Sequence, residues 1–382
     1  MQLRFKDSYV WFLSLVVAYY SFILYANGAQ LIKSYISAID SVLTVGLVLI
    51  GCLNVLLQKD IHLVQDIVFI LFLAVIVIFF HQMSILQIAA VVIAFLPTDP
   101  LGALKAYRNG ILISIIVTFL FGFFYGMHNT TTYDGVFTFG FTNENQTGYY
   151  FAFIAMCSLF IIEDRKIRLN VNWQKVVMYV IILLLNYILF QDNTVTISMA
   201  VFVLLVMFNH MIWRWMLMIS IILAPILTYA SYWIAMNYYS GNWLFELNKV
   251  FTMRPVIWNY FFTRYPIQLT KGNPIVVGNI GFEYTPGQGA FDGTYAYLLY
   301  SYGILFTIIV ILGLSLATYQ LIQSKNNIIL YFLICLELVG FSENILYSYS
   351  LSFGIIFAFL AYRFTWFQKE KGIELVNETK SN

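Results

Sequence analysis

Charge is scarce in this chain. Of its 382 residues only 10% are Asp, Glu, Lys or Arg, against roughly 25% in a soluble globular domain. The net charge is +2 and no long basic run is present, so the chain carries no electrostatic footprint for nucleic acid. The three cysteines, Cys52, Cys157 and Cys335, lie far apart inside apolar runs, where they read as small packing residues rather than a metal cluster. His62, His81, His128 and His210 are scattered without metal-ligand spacing. A Gly-rich phosphate loop, a G-x-S-x-G elbow and an H-E-x-x-H helix are all missing, which argues against nucleotide-driven chemistry. There is no fixed-period repeat, and the first apolar run has no small-residue cleavage site. It is expected to stay as the first helix.

What the chain has in excess is hydrophobic residues, 61% of the total. Its apolar runs repeatedly approach the roughly 20 residues that cross a bilayer as a helix. About twelve spans are expected, near 8–27, 40–57, 64–81, 84–98, 109–127, 147–162, 176–191, 194–209, 212–236, 293–321, 327–342 and 346–366. The expected fold is all-α: a polytopic membrane bundle forming a single integral domain over residues 1–382. The weakest boundary is Gln191-Asp192-Asn193, because merging the two flanking runs would reverse the direction of everything downstream.

Charge placement argues against merging. With the N-terminus inside, the cytoplasmic segments hold fifteen basic residues: Arg4, Lys6, Lys59, Lys105, Arg108, Arg165, Lys166, Arg168, Lys175, Arg214, Lys325, Arg363, Lys369, Lys371 and Lys380. The opposite side holds five, namely Lys33, Lys249, Arg254, Arg264 and Lys271. That asymmetry is the positive-inside pattern with both termini cytoplasmic.

Most connections are short, and one, about 237–292, is long and extracytoplasmic. In its first half Trp243, Leu244, Leu247, Val250, Phe251, Val256, Trp258, Phe261 and Phe262 recur at near-helical spacing. One or two amphipathic helices at the outer interface are expected there. The second half, rich in Gly and Pro, reads as irregular backbone. A second outer loop, about 128–146, carries Asp134, Asn143, Glu144 and Asn145 and no basic residue.

Arg254 and Arg264 are outer-side cations that the topology disfavours. Each can grip a phosphate through two parallel hydrogen bonds, and both reach one site if the helix bends at Pro255 or ends before Pro266; the plainer alternative is contact with lipid headgroups. Lys249 and Lys271 read more simply as solvated lysines. Asp292 opens the tenth span, either as a helix N-cap or as a working carboxylate, with Tyr295 one turn along. Glu343 and Asn344 suit a polar turn. Glu337 is a carboxylate inside an apolar run, which is costly and usually faces a cavity.

Several of these residues sit in short motifs that resemble the O-antigen ligase and O-antigen polymerase (Wzy-type) superfamily. Met253-Arg254-Pro255-Val256-Ile257-Trp258 is similar to its Gly-Arg element with Trp four residues on, with Met for Gly. Asp292-Gly293-Thr294-Tyr295-Ala296-Tyr297-Leu298-Leu299 through Gly303 is similar to the Asp-Asn-x-Tyr-x-x-Leu-Leu-x-x-x-Gly pattern of capsule polymerases. Gly140-Phe141-Thr142-Asn143-Glu144-Asn145 resembles a Gly-Phe-x-Asn-Pro-Asn element, and Phe341-Ser342-Glu343 an acidic element before the last span. The chain departs from the family at Gln191 to Thr196, where a Ser-Arg-Thr element would supply another Arg. It also lacks the loop histidine of the ligases, which favours polymerase over ligase.

The resemblance implies a glycosyltransferase in the cytoplasmic membrane of a bacterium. It would join undecaprenyl-diphosphate-linked oligosaccharide repeats on the outer face, with the lipid diphosphate as leaving group. Arg254, Arg264, Lys271, Tyr295, Trp258, Asn143 and Asn145 are the implied substrate-binding residues. Asp292 is the implied essential acid, as general base or as orienter of an Arg, with Glu283 and Glu343 as alternates. No metal or cofactor is expected, because Arg supplies the positive charge. The partners implied are the lipid-linked sugars, membrane lipid, and the flippase and chain-length regulator of the same pathway. A ligase-like transferase, a flippase for the same lipid-linked unit, which needs a polar path at mid-depth, and a non-catalytic assembly protein are the competing readings.

Overall fold

The computed structural model describes residues 2–26, 29, 33–57, 63–98, 100–125, 138–141, 144–163, 166–169, 172–190, 192–209, 211–212, 214–251, 254–273, 291–324 and 327–343. The expected span at 346–366, Glu283, Asn143 and Asn344 lie outside them. The chain divides into two compact units, with the boundary after Ala200.

The first unit contains α1 (Gln2–Tyr25), α2 (Lys33–Leu57), α3 (Leu63–Phe80), α4 (Met83–Phe95), α5 (Pro100–Tyr125), α6 (Glu144–Ser158), α7 (Trp173–Ile188) and the start of α8 (Asn193–Met207). α1 packs along α5 and α2 along α4. Gly110 makes the first of these crossings close: a Cβ there would lie 2.6 Å from the Ser14 carbonyl oxygen. Small residues that let backbones approach are the usual means of helix association in lipid. α7 and α8 are separate helices, in keeping with the charge argument. Asp192 is buried at their junction and its Oδ1 accepts from the Val195 amide at 3.0 Å, satisfying an orphan donor at the start of α8.

One departure from an all-helical chain falls at the end of the expected 147–162 span and in the connection that follows it. β1 (Phe160–Glu163) and β2 (Lys166–Leu169) pair antiparallel, with Phe160 opposite Leu169 and Glu163 opposite Lys166. Alternating apolar and charged residues in Lys166-Ile167-Arg168-Leu169 carry the period of a strand, and two short strands are too brief for any hydrophobic-run criterion to find.

The second unit holds α9 (Arg214–Ile219), α10 (Leu223–Asn237), α11 (Asn242–Val250), α12 (Arg254–Arg264), α13 (Thr294–Ser301), α14 (Gly303–Gln323) and α15 (Asn327–Val339). A single 3-10 turn, Ser220–Ile222, joins α9 to α10. The expected tenth span is broken: α13 ends at Ser301 and α14 begins afresh at Gly303, whose φ is +84°. The break is built by the segment after α12, where the Gln268 and Leu269 carbonyls accept from the amides of Ile304 and Leu305 at 3.1 and 3.0 Å. A Cβ on residue 303 would meet the Gln268 and Lys271 carbonyl oxygens at 2.9 and 3.0 Å. Only glycine tolerates both that backbone angle and that approach.

By length and composition, five helical stretches among the described residues can cross a membrane: Ser34–Leu57, Leu63–Phe80, Gly102–Phe124, Trp215–Asn237 and Gly303–Gln323. α3 has a mean hydropathy of 2.9, yet Val64, Val75 and Ile78 on it are more than 60% exposed. Such broad apolar surfaces on successive helices are untenable in water and ordinary in lipid. Further apolar helices, among them α4, α7, α8 and α15, are shorter than the roughly 20 residues of a full crossing.

Where one or two amphipathic helices were expected in the first half of the 237–292 stretch, two helices are present and they differ in kind. α11 is amphipathic, with Leu244 and Asn248 buried and Trp243 and Val250 exposed. α12 is not a surface helix: Arg254 through Asn259, Phe261 and Phe262 are all buried. It lies against α10, where Asn259 Nδ2 donates to the Ala235 carbonyl at 2.6 Å. Its aromatic residues find partners on several sides, so no single apolar face remains for a membrane surface.

Candidate functional site

Arg254 is the first residue of α12, and Pro255 follows it at the helix position where a missing amide costs nothing. Asn248 of α11 caps the same turn, its Oδ1 accepting from the Val256 amide at 3.1 Å. Fixed in this way, the Arg254 side chain is only 6% exposed. Its Nη1 donates to the Phe251 carbonyl at 3.3 Å, and its Nη2 makes a direct hydrogen-bonded ion pair with Glu343 Oε1. Asp292 Oδ2 lies 3.7 Å from the same Nη2. Three residues from separate parts of the sequence thus converge on one guanidinium.

The second carboxylate comes from the turn that ends α15. The Glu343 amide donates to the Val339 carbonyl at 2.9 Å, while the Glu343 carbonyl accepts from the Thr294 amide and hydroxyl at 3.1 and 2.7 Å. The Thr294 amide also reaches the Gly340 carbonyl at 2.8 Å. The start of α13 is therefore laced to the end of α15. The cap position of α13 is Gly293, with φ +101° and no side-chain cap bond. Asp292 stands one residue before it, so the N-cap alternative does not describe its place.

The first carboxylate is held differently. Its residue is gripped through the backbone: Trp258 Nε1 donates to the Asp292 carbonyl at 2.6 Å. Trp258 lies four residues after Arg254, hence on the same face of α12. Arg254 and Trp258 therefore address the side chain and the main chain of one residue.

If both acids were ionised, one buried cation would face two anions. Glu343, in direct contact, is the natural counter-charge. The Asp292 carboxyl, 19% exposed, is pushed up to about 6, burial raising it against the lowering influence of Arg254. It can thus exchange a proton near neutral pH, the property wanted of a general base.

The other expected site residues divide. Trp258 and Tyr295 are fully buried rather than open to a ligand, and the Tyr295 hydroxyl donates to the Glu337 carbonyl at 3.1 Å. Arg264 does not join Arg254. α12 is continuous between them, which separates the two by about 15 Å along the axis, and Arg264 instead sits over the Tyr260 ring at 3.9 Å from its centroid while donating to the Tyr260 hydroxyl. Arg264 and Lys271 are exposed. Asn145 lies half-buried on α6 in the first unit. Glu337 is buried and neither carboxyl oxygen has a hydrogen-bond partner. Among the described residues no group of three or more His, Cys, Asp or Glu is placed to hold a metal ion.

Sequence reasoning named the three charged residues but missed what fixes them. Asn248 and Gly293 act through a cap and a close approach that leave no compositional trace. Comparison with known proteins finds no match to this chain: no family model, no curated protein and no solved structure.

Proposed function

We propose that this chain is a polysaccharide polymerase of the bacterial cytoplasmic membrane, joining undecaprenyl-diphosphate-linked oligosaccharide repeats on the outer face. The observation that carries the reading is the convergence of Arg254, Asp292 and Glu343. Each comes from a different motif of the resemblance, and apolar helices of membrane-crossing length accompany them.

In the proposed reaction Asp292 takes the proton of an acceptor sugar hydroxyl. That oxygen bonds the anomeric carbon of the growing chain, and the carbon–oxygen bond to the lipid diphosphate breaks, the diphosphate leaving with the electron pair. Proton transfer neutralises Asp292, so Arg254 is then balanced by Glu343 alone. The negative cluster becomes neutral at the moment charge develops on the leaving group, which is when repulsion would cost most. Arg254 reaches a phosphate oxygen only by loosening a carboxylate. Exposed Arg264 and Lys271 can do so directly, and hold the diphosphate of an incoming unit.

Deletion in a capsule-producing bacterium tests this reading. Membranes should accumulate single lipid-linked repeats facing outward. Inward-facing repeats would indicate a flippase, and full-length polymer left on its lipid a ligase.

A further inference from the structure

We infer that Trp258 is a positioning residue for Asp292, and that its indole N–H holds the Asp292 carboxyl back from closing on Arg254. The inference rests on Asp292 being the working acid of the proposed site. It departs from the substrate-binding role that the resemblance implies for this tryptophan.

Geometry supplies the reasons. The Trp258 side chain is fully buried and has no face open to a ligand. Its ring is wedged edge-on to Phe341, centroids 5.6 Å apart at 83°, so the N–H direction is set by packing. The bond to the Asp292 carbonyl, at 2.6 Å, is short for an N–H donor. The backbone beyond it has adapted to the ring: Gly293 takes φ +101°, and a Cβ there would fall 2.6 Å from Trp258 Cζ2 and 2.9 Å from the Phe341 carbonyl oxygen. Thr294, next along, is tied to Gly340 and Glu343. Residue 292 is thus pinned by its own carbonyl and by its neighbour. With its main chain fixed there, the carboxylate stands 3.7 Å from Arg254 Nη2, beyond a direct hydrogen bond.

Among the described residues, the charged groups placed against Asp292 and its guanidinium neighbour are Arg254 from α12 and Glu343 from the turn after α15. Tyr295 and Glu337 lie one layer further along α13 and α15. Releasing the indole bond lets the carboxylate approach the guanidinium, and the acid strengthens.

The test uses the full-length protein in lipid nanodiscs. The infrared band of the protonated Asp292 carboxyl is titrated, with Asp292→Asn as blank, in the wild type and in Trp258→Phe. Site-specific β-(3-benzothienyl)alanine at position 258 keeps the bicyclic shape without the N–H, and covers the case where Trp258→Phe does not fold. The expected result is a titration midpoint moved down from about 6, with kcat lowered about tenfold at unchanged KM. An unchanged midpoint overturns the inference, as does a raised KM with unchanged kcat, which would restore the substrate-binding role. A lowered midpoint with unaltered polymer formation leaves the positioning role standing and removes Asp292 as the base of the proposed reaction.

Discussion

Arg254 binds Glu343 directly and stands 3.7 Å from Asp292, so a single guanidinium joins the start of α12 to the residues that precede α13 and follow α15. A buried arginine with two acidic neighbours is costly to assemble and costlier to leave half-made.

Removing the direct partner should therefore destabilise. Glu343→Gln leaves Arg254 with only the more distant Asp292, 3.7 Å away, as counter-charge, and a loss of about 3 kcal/mol is expected for breaking a buried pair. Membrane abundance and thermal unfolding in detergent would show it; a wild-type melting temperature would mean that the pair contributes nothing.

Arg254→Lys keeps the charge but not the planar fork that reaches Phe251, Glu343 and Asp292 together. Polymer formation should fall roughly tenfold or more, and Arg254→Ala should abolish it. Full-length polymer in both variants would reduce Arg254 to a structural strut.

Stability should depend on pH through Asp292. Its folded pKa, about 6, lies above the ordinary carboxylate value, so the folded state prefers the proton. The associated stabilisation is complete below about pH 4 and is lost as pH rises through about 6. Asp292→Asn should flatten that dependence in chemical denaturation between pH 4 and 7. An identical pH dependence in the two proteins would show that the carboxyl titrates normally.

Much of this was legible in the chain, for physical reasons that differ by element. The apolar runs behind α2, α3, α5 and α14 announced themselves because a lipid-facing helix needs nothing but apolar residues over its length. The gap between α7 and α8 followed from loop charge, and Asp192 marks it with a cap. The break at Tyr302–Gly303 did not, because it is imposed by carbonyls of the 268–271 segment, a contact that periodicity does not encode. α12 looked amphipathic because Arg254 and Asn259 read as polar; in the fold Arg254 is ion-paired and Asn259 donates to Ala235, so both are buried. Arg254, Asp292 and Glu343 sit in separate motifs, and only the resemblance implied that they share a site; which carboxylate meets the guanidinium directly depends on how α12, α13 and α15 pack.

Topology is open to direct labelling. With the long loop outside, Leu269→Cys should react with an impermeant thiol reagent in intact cells and Trp173→Cys should not; both positions are exposed. The reverse labelling pattern would invert the orientation and remove the proposed outer-face reaction.

The most direct measurement is polymer formation by Asp292→Asn in a deletion strain, alongside the variant's abundance in the membrane. Asn has nearly the shape of Asp and cannot accept the proton of a sugar hydroxyl. Abundance equal to the wild type, no polymer, and single lipid-linked repeats accumulating on the outer face are predicted. Polymer of wild-type length from that variant would contradict the account.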